Sequence, residues 1–451
     1  MNTPARDHFV ADFECVFAAL PGADLPWLVR ARSAAMARFA ESGLPDAHDE
    51  EWKYTRVAAI ENNDFVAASC SDDDEIVRSL VDQMALAGGN GPADGSLADG
   101  HLLVFIDGRH SPLLSRPGQL PAGARLSPIG EALAATPEAL EPYFAEAFAP
   151  TAFAALNTAF MADGASLHLA RGTVVEQPIH LLFIATQHGA AISPHNLIVA
   201  EDGAQATIVE HYVGADGAVY LSNALTRIFA AADARIEHYK LQQEGSQAFH
   251  IAGIHAEQAQ GSSLLSHSVS FGARLARNDI STTFAGPRCA ATMDGLYIVG
   301  GQQHVDNHTR VDHSQPHGTS SELYRGILDG RSRAVFNGKV IVHPGAQKTS
   351  ARQANHNLLL SSDAEIDSKP QLEIYADDVQ CTHAATVGQL DDNQLFYLRA
   401  RGIDAAMARS LLVQAFAHDV IERIPLAALR TRIEQILFSR LPQGERIRQL
   451  T

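Results

Sequence analysis

Two groups of side chains in this 451-residue sequence have the types and spacing to do chemistry. The denser is the run HVDNHTRVDHSQPH, which sets His304, His308, His313 and His317 at steps of 4, 5 and 4. Imidazole suits zinc, copper, nickel or iron. Asp306 and Asp312 could add carboxylate ligands or orient the rings. The run also has a structural reading, which weighs more. Residues an odd number apart on a strand face opposite sides. His304 can therefore pair with His308 and His313 with His317, but the two pairs are split. Inward His, Asn and Thr in coiled β-structure also serve as hydrogen-bond partners for turns. The second group is Cys381-Thr382-His383. Positions i and i+2 of a strand share a face, so a thiol and an imidazole could converge on one iron or zinc ion. The competing readings are a buried cysteine beside a structural histidine and a Cys–His nucleophile. No nearby residues suggest an oxyanion hole or a third orienting group for the latter.

Other motifs are thin. Gly345-Ala346-Gln347-Lys348-Thr349 has a superficial phosphate-loop look without the GxxxxGK[ST] spacing. HExxH, GxSxG and GxGxxG patterns are missing, so no nucleotide fingerprint is read. The four cysteines, Cys15, Cys70, Cys289 and Cys381, are far apart and form no CxxC. That suits a reducing compartment rather than a disulfide framework.

The elements that would position these groups fall into three stretches. Residues 1–100 read as a helical region and linker. Val10, Phe13, Phe17 and Leu20 make one helix face, and a second helix is expected from a cap at Asp24 with Pro26 in its first turn, ending at Gly43-Leu44-Pro45. The Gly- and Asp-rich run over 87–100 reads as a linker or exposed loop. Residues 101–388 read as a β core with a helical insertion near 130–161. Strands are expected at His101–Ile106, His180–Ala185, Asn196–Ala200 and Thr207–Tyr212. Turn markers at Gly203, Asp233, Gly261, Gly286 and Gly318 recur 25 to 32 residues apart, and later ones at about half that spacing. Such a drifting period fits a β-solenoid with one strand per coil on each of two faces, and favours it over a β-sandwich. Residues 389–451 return to helix. Asp391 and Asp404 are the expected caps, Arg401-Gly402 is a stop, and Pro425 is expected to end the middle helix. Such a unit can cap a coil stack or dock in a partner's groove; capping is the default expectation.

Composition excludes several classes. Lys and Arg total 34 against 52 Asp and Glu, a formal charge of −18, which argues against a general nucleic-acid binder. Hydrophobic residues make up 46%, enough for packed cores, yet no stretch is long and apolar enough for a membrane span. The amino terminus shows no secretory signal pattern, and a cytoplasmic location is expected.

The run from Phe336 to Phe416 closely resembles the SufB/SufD family of iron–sulfur cluster assembly proteins, on its SufD side. The resemblance rests on DNHT at 306–309 with Asp312-His313, ELYRG at 322–326, KPQLEI at 369–374, QLFYLRARG at 394–402 and EWKYT at 51–55. It implies a mainly β chain: a right-handed parallel β-helix flanked by N-terminal and C-terminal helical regions. It implies a non-catalytic scaffold in a SufB–SufC–SufD complex, pairing with SufB through β-helix ends and with the SufC ATPase through the C-terminal helices. Phe396, Tyr397, Arg401, Met407, Leu411 and Phe416 are the residues expected to serve that docking. By the same resemblance His383, with Cys381 beside it, is expected to meet iron or a nascent iron–sulfur cluster, held transiently at the SufB–SufD interface. A reduced flavin is associated with such complexes, although no residue marks a flavin pocket. A homodimer formed in the absence of SufB is a third reading, since an exposed β-helix edge invites pairing. The rival class is a β-helix enzyme, either polysaccharide-acting or a metal-dependent hydrolase using the His304–His317 group.

Overall fold

The structure, a computed structural model, describes residues 4–69, 77, 80–81, 100–144 and 148–449. Cys70 and the expected linker, apart from Gly100, lie outside them.

Two stacked parallel sheets form the core. From Gln205 onward the chain alternates between them, placing one strand in each sheet per coil. The first sheet carries Leu221–Ala230, Phe249–Gln258, Leu275–Phe284, His304–His313, Arg333–Val342 and Glu365–Ile374 in order. The second carries Gln205–Gly214, Arg235–Gln243, Ser263–Ser270, Ala290–Val299, Thr319–Leu328, Ser350–Leu359 and Gln380–Gly388. This is the β-solenoid that the turn spacing predicts. Its corner is set by residues in left-handed backbone conformation, at Gly203, Asp233, Gly261, Arg288, His317 and Lys348. The N–H of each corner residue donates to a carbonyl at the corner of the next coil, for example Asp233 to Gln260 and His317 to Gln347. The corners at Arg288 and His317 lie beside the expected Gly286 and Gly318, so the sequence markers were close but out of phase there.

Strand alternation divides the side chains. Ile208, Ile236, Leu264, Met293, Ile254 and Ile280 point between the sheets into the main core. The outer face of the second sheet, with Val209, Tyr239, Leu241, Val269 and Leu296, is covered by the helices Ala405–Ile421 and Ala427–Arg440. Arg325 donates to the Phe416 carbonyl at 2.7 Å and pairs with Asp419, while Arg423 meets the buried Asp294 at 2.7 Å. These helices therefore lie along the solenoid's flank. The capping role expected of them is corrected: their apolar sides are buried on the apolar outer row of the second sheet. Asp404 caps the middle helix through the Met407 N–H, as expected, but the helix ends at Ile421, before Pro425.

On the outer face of the first sheet, Leu221, Phe249, Ile251 and Leu275 pack against the helices Pro4–Val16, Pro26–Ser42 and Ala152–Phe160. The insertion near 130–161 is helical at Ile129–Ala135, Pro137–Phe144 and Ala152–Phe160. The second helix of the chain has Leu25 rather than Asp24 at its cap, without a side-chain bond. Gly43, at φ 69°, ends it as expected.

Candidate functional site

Cys381 and His383 lie on Gln380–Gly388, the last strand of the second sheet. Among the described residues that strand pairs only with Ser350–Leu359, and none of them forms a strand on its other edge. In register, Cys381 stands opposite Ala351 and His383 opposite Gln353. Both of these partners are buried and face the space between the sheets. Cys381 packs there against a small apolar group that includes Val340, Val342 and Ala346. Thiol and imidazole thus share the inward face, as the i, i+2 spacing predicts. Burial raises the Cys381 thiol above its ordinary pKa, only partly opposed by the Ala351 backbone, so it waits as a neutral thiol. His383 is exposed. Beneath it the inward column continues: Gln353 donates to Glu322 at 2.7 Å, and Thr309 donates to the same carboxylate at 3.0 Å.

The terminal coil is open. No residue of Glu365–Ile374 or Gln380–Gly388 is buried, although the equivalent positions one coil earlier largely are. Ile374, Tyr375 and Val387 present 41%, 61% and 52% of their surface to solvent. Two protein donors are too few for a cluster, which takes four. Cys289 cannot add one: it is buried three strands away in the second sheet, its thiol on the Ala259 carbonyl at 3.0 Å. Cys15 is exposed in the first helix.

The four histidines of the 304–317 run do not converge. His304 and His308 share the outer face of the first sheet, His313 points inward onto Ser320 at 2.9 Å, and His317 is an exposed corner residue. Among the described residues, no three His, Cys, Asp or Glu side chains are placed to hold one ion. The outer pair instead anchors a strap that motif reading alone did not reveal. The segment 50–55 lies across this face. Glu51 meets His308 at 3.2 Å, and His308 meets Asp306 at 3.0 Å. Thr55 donates to Asp306 at 2.6 Å, and Arg277 lies between Asp306 at 2.8 Å and the Trp52 ring at 3.8 Å. Burial opposes charge on His308, but Asp306 and Glu51 outweigh it and raise its pKa to about 9. The available signal was the EWKYT segment itself.

At the C-terminal helices, Phe396 and Tyr397 are exposed (74% and 56%) on the helix Asp392–Ala400, which buries none of its residues. Arg401 stacks over Tyr397 at 4.9 Å. Met407 is buried with Phe438 and Ile447, Leu411 packs against that group, and Phe416 lies under the Arg325 guanidinium at 4.7 Å.

The sequence comparisons agree with this architecture. The SUF system FeS cluster assembly SufBD core domain matches residues 183–416, and the SufBD N-terminal region matches residues 97–181. The chain belongs to the SufBD family. It is 34% identical to an iron–sulfur cluster assembly SufBD family protein of Synechocystis, covering 94% of this chain and 93% of that one. It is 32% identical to the iron–sulfur cluster assembly protein SufD of Escherichia coli, over 91% and 92% of the two chains. Similarity extends to the chloroplastic protein ABCI7 of Arabidopsis thaliana, at 28% over 91% and 86%. This SufBD-family chain is thus a SufD homologue in iron–sulfur cluster assembly, and no helix among its described residues is long and apolar enough to cross a membrane.

Proposed function

We propose that this chain is the non-catalytic scaffold subunit of a cytoplasmic SufB–SufC–SufD complex, and that iron or a nascent cluster meets it at Cys381 and His383. The observation that carries the reading is the open coil end. Its two terminal strands leave hydrogen-bonding edges and inward apolar side chains to be covered by another β-structure. A partner solenoid seated there would place its own ligands against Cys381 and His383 and complete a set that this chain leaves short. Iron is cargo in this reading. Its arrival would displace the thiol proton that burial holds on Cys381. Phe396, Tyr397 and Arg401 offer the ATPase partner an exposed aromatic–cationic surface, while Met407 and Leu411 pack the C-terminal helices on one another and Phe416 joins them to the solenoid's flank. Movement imposed on these helices would reach the open end as a rigid-body shift.

The test is co-purification with the neighbouring subunits, followed by iron and sulfide analysis. His383→Ala should leave the complex intact and lower its iron and sulfide by about tenfold or more, since loss of even a supporting partner costs a metal site about that much. Unchanged iron content would remove His383 from the site. The same exposed edges could also pair two copies of this chain. Sizing with and without the SufB partner separates the two assemblies, and a homodimer that persists in its presence would overturn the heteromeric reading.

A further inference from the structure

A second concave site lies on the opposite flank from the strap, where strands of the second sheet hand over to the first. Its walls are the stacked connections near residues 214–216, 243–247, 271–274 and 300–303, with the helix Ala427–Arg440 along one side. The cavity volume is about 1360 Å³, above the roughly 300–1,000 Å³ usual for small-molecule sites. In a chain carrying 18 excess negative charges, its lining is cationic: Arg274, Arg432 and Arg440 all border it. Arg274 lies over the Phe249 ring at 5.8 Å and Arg440 over Phe271 at 5.2 Å. Cation–π attraction draws each guanidinium toward its ring without using its N–H donors. Among the described residues, neither Arg274 nor Arg440 makes an ion pair.

Among the described residues, the acidic groups at the site pair with neither Arg274 nor Arg440. Glu244 is buried and turned to His250 at 2.7 Å and Gln242 at 3.0 Å, and Asp216 is an exposed residue of a connection. Packing lowers the pKa of Arg432 and Arg440 below the ordinary arginine value, yet both guanidinium groups stay charged at neutral pH. The floor is bare backbone. A side-chain carbon added at Gly300 or Gly301 would meet nothing within 4 Å, and Gly301 holds a left-handed φ of 59°. A ligand can therefore approach the peptide closely.

We propose that this cavity binds a phosphate-bearing small molecule, with Arg274 and Arg440 clamping a di- or triphosphate against the 300–303 connection. Guanidinium forks match phosphate oxygens two at a time. The volume leaves room for an organic group beyond the phosphates. The 300–303 connection lies two coils before the open end, on the flank where the second sheet hands over to the first, and the site does not depend on the partners assigned above.

The test is calorimetric titration of the full-length chain with tripolyphosphate and, separately, with ATP at low ionic strength. Both should bind, and Arg274→Gln/Arg440→Gln should weaken binding by about tenfold or more, the effect of losing roughly 1.4 kcal/mol. Tighter binding of ATP assigns the remaining volume to an organic group, whereas equal binding assigns the site to the phosphate chain alone; either supports the site. Binding that the double variant retains at full strength, or no binding of either probe at millimolar concentration, would overturn it. Should the double variant unfold, Arg274→Gln alone, at an exposed residue, still must weaken both probes several-fold.

Discussion

The two ends of the solenoid are built by opposite rules. At the amino-terminal end the sheets close. The first sheet finishes on Ala124–Pro128, which runs antiparallel to Ala165–Leu169, and the second on a two-residue strand, Arg109–His110, antiparallel to His101–Ile106. Asp163 ties this end together: its carboxylate accepts the N–H groups of Gly130, Gly164 and His110 at 3.0 to 3.1 Å. Leu103, Phe105, Leu167 and Phe183 are buried inside. At the carboxy-terminal end two strands of 9 and 10 residues stop with no further strand on their edges among the described residues, and none of their side chains is buried. Short, reversed edge strands are how proteins discourage pairing, and long bare ones invite it. The contrast sets a closed, buried end against an open one, and the association proposed above would use the open end, where Cys381 and His383 stand.

The largest effects should separate these roles. Phe105→Ala at the closed end removes a fully buried ring stacked on Phe183 at 5.1 Å and should cost about 3–5 kcal/mol of stability. Ile374→Lys with Val387→Lys at the open end removes side chains already half in water. It should shift the denaturation midpoint little but abolish co-purification with the SufB partner. Urea unfolding and pull-down of both variants check the pair. If the lysine variant lost as much stability as Phe105→Ala, the open end would be part of the folding core and the comparison would fail.

How far these ends were legible in the sequence depends on what each is made of. The coil repeat was readable because a left-handed corner needs Gly or a tolerant residue at a fixed spacing, and Gly203, Asp233 and Gly261 supply it. It slipped at Arg288 and His317, where neighbouring-coil hydrogen bonds hold ordinary residues in that conformation. The shared face of Cys381 and His383 follows from strand alternation alone. The openness of their coil does not, because the composition of Gln380–Gly388 resembles that of a buried strand and only the missing neighbour exposes it. The flank position of the C-terminal helices was hidden for a similar reason: their apolar stripes fit a coil end or a sheet face equally well. The strap was hidden because Glu51 and His308 are 257 residues apart and meet only in the fold.

That strap ties the amino-terminal region to the coils next to the open end, and its strength should depend on pH. The folded pKa of His308, about 9, lies above the ordinary 6.5. Its contribution is therefore complete below pH 6.5 and is lost as pH rises through 9. Asp306 and Glu51 are both held below their ordinary values, so their contributions are present above the usual carboxylate range and lost as pH falls. Stability should thus decline by on the order of 2 kcal/mol between pH 6.5 and 9.5. His308→Gln should flatten that decline, and hydrogen exchange over residues 50–55 should accelerate across the same range in the parent chain only. An equal slope in the variant would place the titration elsewhere.

The smallest effect sharpens where the strap ends. Glu50, an exposed residue of the strap, reaches the half-buried Lys369 on the terminal coil at 2.8 Å. Lys369 lowers the Glu50 carboxyl pKa chiefly through this hydrogen bond, but water surrounds both groups and salt screens them. Glu50→Gln should therefore leave the unfolding midpoint and the 50–55 exchange rates unchanged, whereas Glu51→Gln, which weakens the hold on the largely buried His308, should raise those rates. If Glu50→Gln loosened the segment as much as Glu51→Gln, the strap would be anchored on the open coil itself. A partner seated on that end would then compete with it directly rather than find the coil ready.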